Sequence, residues 1–135
     1  MHGFDVNWLA VLCAALAKFA IGGVWYSPPV FGPRWGAIVG VTPDAFKARM
    51  VRSMVTDLVA SFVLAWVLAN VLKFTGAVGV IPGARVSFFL WLGFVATPLL
   101  STTVYEGRPI ALFGINAAYW LISMLIMGGL IGAWQ

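Results

Sequence analysis

Four long apolar runs, each interrupted at only a few polar positions, divide the chain. The first, Val6 to Tyr26, is broken by Asn7 and Lys18 and stopped by Ser27-Pro28-Pro29. The second runs from Met54 to Leu72 with Asp57 near its start. The third, Val86 to Tyr105, contains Pro98, and the fourth runs from Ile110 to Trp134. Crossing a hydrocarbon core takes about 20 apolar residues in a helix. The runs are too long and too weakly alternating for barrel strands. They predict an all-α fold: an integral membrane four-helix bundle in one domain, with spans at about 6–26, 54–72, 86–105 and 110–134. Trp8, Trp25, Tyr26, Tyr105 and Trp134 fall at predicted span ends, where amphipathic rings favour the headgroup layer.

The connections differ in kind. In the long link 27–53, Thr42 reads as an N-cap, with Pro43 at the first helical position and Asp44 in the first turn. Phe46, Met50 and Met54 then recur at fourfold spacing opposite Lys47, Arg49 and Arg52. That pattern predicts a short interfacial amphipathic helix between the first two spans. The link 73–85 is Gly-rich, and Glu106-Gly107-Arg108-Pro109 forms a tight turn in which Glu106 and Arg108 are expected to pair locally.

Composition agrees with the pattern. The chain is 62% hydrophobic and 9% charged, so its residues cannot assemble a water-exposed surface. Eight Lys and Arg against four Asp and Glu leave a net charge of +4. These few charges read as topology signals, and no nucleic-acid partner is expected. Arg34, Lys47, Arg49, Arg52 and Arg108 lie in the first and third links, against Lys73 and Arg85 in the second. This bias predicts a cytoplasmic long link and 106–109 turn, with both termini outside. Asp5 and the absence of Lys or Arg before the first run argue against a cleaved signal. A single Cys13 excludes an intrachain disulfide. With one histidine, His2, an all-protein haem, zinc or copper site is not expected, nor is any other cofactor.

The order Asn7-Trp8-Leu9-Ala10-Val11-Leu12, Trp25-Tyr26-Ser27-Pro28, Phe31-Gly32, Trp35, Trp91-Leu92-Gly93-Phe94-Val95, Tyr105-Glu106-Gly107-Arg108-Pro109, Phe113 and Ile115-Asn116-Ala117 resembles a bacterial membrane-protein family, domain of unknown function 1761. The family's fourth span more often carries a histidine where this chain has Trp120. The resemblance implies a small four-span protein of the cell membrane and supplies no reaction or ligand.

Ionisable groups inside a membrane cost roughly 2.5–3.5 kcal/mol on insertion scales and mark functional sites by default. Lys18 lies roughly 12 Å from the cytoplasmic end of its span, and Asp57 roughly 5 Å inside the second, at 1.5 Å per residue. Both sit on small-residue stripes, Ala10-Ala14-Lys18-Gly22 and Asp57-Ser61-Ala65-Ala69, which mark helix–helix contacts. Asp57 either meets Lys18 or rests at the membrane surface beside its helix start. Direct pairing is the weak link, because the depths differ by about 7 Å and the side chains lean apart. In the third span Pro98 removes the donor for the Phe94 carbonyl, and Thr97, Ser101, Thr102 and Thr103 share its cytoplasmic half. Asn116, Tyr119 and Ser123 share one face of the fourth. A cleft lined by Lys18, Asp57, Thr97, Ser101, Asn116 and Tyr119 is expected. Ser101 to Thr103 also suit bonds to their own backbone, and Trp66 and Trp120 read as packing.

No enzyme signature is present, and catalysis is not expected. One reading is a non-catalytic membrane module, either an accessory subunit of a larger membrane complex or a lipid-interacting scaffold. The other is an oligomeric transporter or channel for ions or small solutes that uses the polar cleft. Gly128-x-x-x-Gly132 has the spacing of a dimerisation motif and points to a homo-oligomer.

Overall fold

A computed structural model of the chain describes residues 6–134, with the Pro43 side chain excepted; His2 and Asp5 lie outside the described residues. Six α-helices follow one another: α1 (Trp8–Trp25), α2 (Gly32–Val39), α3 (Pro43–Thr75), α4 (Val80–Trp91), α5 (Thr97–Tyr105) and α6 (Ile110–Ala133). A π turn, Leu92–Ala96, joins α4 to α5 into one span. No strand occurs among the described residues. Among the described residues, four helical stretches are long and apolar enough to cross a membrane, at Trp8–Trp25, Asp44–Thr75, Val80–Tyr105 and Ile110–Ala133. Large apolar side chains such as Leu12, Val63, Phe89 and Ile126 remain exposed on all four, as a helical membrane bundle requires.

Local chemistry explains the helix ends. The Asn7 side chain accepts from the N–H groups of Leu9 and Ala10 at the start of α1, and the Thr42 hydroxyl accepts from Ala45 N–H. The helix begun at Thr42 does not stop before the membrane. Residues 44–75 contain neither Gly nor Pro, so nothing breaks the hydrogen-bond ladder, and the expected interfacial helix is the first part of the 33-residue α3. At about 50 Å, α3 exceeds a hydrocarbon core of about 30 Å. The separate short helix in the link is α2, which carries a Pro in its first turn and ends on Gly40 at φ 81°, the asymmetry expected of Pro and Gly.

The third span contains Pro98, which has no N–H. The ladder widens to the π pattern just before it, so the carbonyl facing the missing donor is that of Gly93 rather than Phe94. The Thr97 hydroxyl takes the donor's place at 2.7 Å.

α6 is the central helix. It packs against α1 on one side and α4 on the other, while α1 also packs against α3; α3 and α4 barely meet. Asn7 Nδ2 donates to the Trp134 carbonyl, and Gly79 N–H to that of Gly132. The start of α1, the end of α6 and the α3–α4 turn therefore share one end of the bundle, the termini end. The long link and the 106–109 turn lie at the other, the link end. Gly128 and Gly132 face α4 of the same chain. A Cβ at Gly83 would strike the Gly128 carbonyl, and one at Gly132 the Gly79 carbonyl. The glycines expected to join two copies are thus covered within one chain. Arg108 does not pair with Glu106. Its Nη1 donates to the Ile38 carbonyl at 2.8 Å and ties the turn to the end of α2, where free carbonyls attract a cation.

Candidate functional site

The small-residue stripes meet along the α1–α3 seam. Ala10, Ala14, Ser61, Ala65 and Ala69 are all buried, which lets the backbones approach and closes the seam around Lys18. The Lys18 side chain is 1% exposed. Its Nζ donates to Ser61 Oγ at 3.0 Å, Tyr119 Oη at 3.0 Å and Asp57 Oδ1 at 3.4 Å. It also lies 4.5 Å from the centroid of the Trp120 ring and 5.3 Å from that of Tyr119, within cation–π range. An ammonium has three donors, and all three meet side chains of this chain.

Helical rise explains why Ser61, not Asp57, makes the shorter bond. Ser61 is one turn beyond Asp57, roughly 6 Å further along α3, and level with Lys18 Nζ. Tyr119 reaches Lys18 because Gly22 offers no side chain: a Cβ there would lie 2.9 Å from Tyr119 Oη. Asn116 does not touch Lys18. It accepts from Tyr26 Oη at 2.6 Å, and the Tyr26 ring packs edge-on against Tyr119, with centroids 5.4 Å apart. Trp25 Nε1 donates to the Ile115 carbonyl at 3.0 Å, so Trp25 clamps α1 to α6 as well as marking the span end.

Thr97 and Ser101 do not join the cluster. Leu99 is half-buried and Thr103 buried, and at 100° per residue both point the same way, toward α6, the helix on which α5 packs. Thr97 and Ser101 fall on the other side of α5 and are exposed. Thr103 bonds the Leu99 carbonyl of its own helix. Ser123, on the same α6 face as Asn116 and Tyr119, is buried one turn beyond Tyr119. Ser61 and Trp120 were not among the expected site residues. Ser61 was legible as the stripe position level with Lys18. Trp120 was not, since nothing in its spacing separates a packing ring from one beneath an ammonium.

The two charges are held unequally. Asp57's side chain is 44% exposed and borders a recess of about 580 Å³ at the link end, with Arg49, Arg52, Ser53 and Thr56. Toward the termini end, the space beyond Lys18 is filled by Val11, Ala15, Leu68, Leu72, Met127 and Ile131, all buried. The cluster therefore opens, through Asp57, toward one end of the bundle.

A family model described as a protein of unknown function, DUF1761, matches residues 9–132. The chain belongs to the DUF1761 family. No curated protein and no solved structure matches it. The match covers all but the first residue of α1 and the last of α6, so the Lys18 cluster, the Tyr26–Asn116 bond and the glycine contact of α4 with α6 all lie within the DUF1761 region.

Proposed function

We propose that this DUF1761 protein is a non-catalytic multi-pass module of a bacterial inner membrane, an accessory subunit or a lipid-interacting scaffold. Its long link and 106–109 turn face the cytoplasm, and both termini lie outside. The saturation of Lys18 carries this reading. Its amine spends three donors on Asp57, Ser61 and Tyr119 and lies against Trp120, leaving no donor for a solute. A cation so enclosed clamps α1, α3 and α6 together. The packed apolar layer beyond it supports the same reading.

The half-exposure of Asp57 in an open recess favours a second reading, a transporter or channel loaded from the link end. Proteoliposomes separate the two. The module reading expects proton, sodium and potassium flux no greater than in empty liposomes, with Lys18→Met lowering thermal stability and leaving flux unchanged. Flux in the natural protein that disappears in Lys18→Met overturns it in favour of transport.

A further inference from the structure

We infer that the recess at the start of α3 binds the phosphate of an anionic phospholipid. The inference rests on the reading of α3 as a span whose first turns lie in the membrane interface. Arg49, Arg52, Ser53 and Thr56 stand at i, i+3, i+4 and i+7, on one face of α3, and line the recess. Paired guanidiniums match the geometry of phosphate oxygens, where a lysine would offer only a point charge. The Thr56 hydroxyl donates to the Arg52 carbonyl at 2.8 Å, which leaves the Ser53 hydroxyl as a further donor. The carboxylate in the recess, Asp57, is drawn toward Lys18. Among the described residues neither arginine has an acidic partner.

Depth and surroundings select a lipid over a soluble phosphate. Counting back from Asp57, read as roughly 5 Å inside the hydrocarbon, Arg52 and Arg49 fall roughly 2.5 and 7 Å outside it at 1.5 Å per residue. That is the layer lipid phosphates occupy. Val51, Met54, Val55, Leu58 and Val59 lie exposed on the adjoining turns of α3, so an apolar surface for acyl chains continues from the arginines into the membrane. A second copy of the chain fits the recess poorly, because a two-fold contact there would set both pairs of guanidiniums against each other.

Native mass spectrometry of the detergent-solubilised protein tests this with phosphatidylglycerol, phosphatidylcholine of the same acyl chains, and glycerol 3-phosphate. Phosphatidylglycerol should bind more tightly than phosphatidylcholine by about 10- to 30-fold, the scale expected of two arginines at an anionic headgroup. Arg49→Gln with Arg52→Gln should abolish the preference, and Arg85→Gln, at the termini end, should keep it. All these arginines are exposed, and unchanged helical circular dichroism verifies folding. Equal binding of the two lipids, or a preference that survives the double substitution, overturns the proposal. So does displacement of phosphatidylglycerol by glycerol 3-phosphate, which would make the recess a soluble-phosphate site. These outcomes are independent of the flux measurement, so either proposal can fail alone.

Discussion

A lysine amine buried inside an apolar helical bundle must be satisfied by its own protein, and the neighbours of Lys18 reflect that need. Its partners come from two other helices, Asp57 and Ser61 on α3 and Tyr119 on α6. The Asp57 side chain is 44% exposed while that of Lys18 is 1% exposed, so the two charges differ in how they tolerate losing each other. Asp57→Asn leaves a buried cation without its counter-ion and should cost about 3 kcal/mol. Lys18→Met leaves a partly solvated carboxylate and should cost less. Adding Lys18→Met to Asp57→Asn should recover much of the loss, read as the midpoint of thermal unfolding in detergent. Equal losses in both single variants, with no recovery in the double, would show that the charges do not sense each other. The part of Lys18 and Tyr119 in this cluster was legible from depth and helical spacing. The reach of Asn116 was not, because the Tyr26 hydroxyl, just past the end of α1, donates to its side-chain oxygen.

Among the elements, α4 and α6 approach backbone to backbone at their glycines. A Cβ on Gly83 would strike the Gly128 carbonyl and one on Gly132 the Gly79 carbonyl, backbone that cannot swing aside. Gly83→Ala or Gly132→Ala should therefore destabilise the bundle by about 1–3 kcal/mol. Gly114→Ala, where nothing lies within 4 Å, should be tolerated. Comparable losses at all three sites would remove the case for a close α4–α6 seam. A dimerisation spacing and an intrachain seam look alike in sequence, since both require only small residues one turn apart. The same limit applies to α3. Its N-cap at Thr42 was readable, while its continuity into the span follows from the absence of any breaker over residues 44–75. The separate helix α2 was not expected from the sequence, because eight residues are too few for hydrophobic periodicity to register; Pro33 near its start and Gly40 at its end fit it only once it is seen.

For the whole molecule, the shared position of the termini and the α3–α4 turn makes orientation a single binary question. In a Cys13→Ala background, Val78→Cys should react with an impermeant thiol reagent added to intact cells, and Val30→Cys should not; both positions are exposed. The reverse pattern would invert the topology and place the arginine recess in the outer leaflet. The apolar runs and the prolines and glycines between them determined the number of membrane-length helices and the order of the polar groups along each. These are local properties, set by the length of helix a bilayer demands and the rise of each residue. Which helices touch was decided only in the tertiary structure. Each span carries more than one face with small or polar residues, and the packing of all four selects among them. That choice made α6 the centre, turned Thr97 and Ser101 away from it, spent Gly128 and Gly132 on α4, and brought Ser61 and Trp120 to Lys18. Sequence spacing orders residues along a helix axis, but the neighbour that each helix face meets depends on how whole helices pack together.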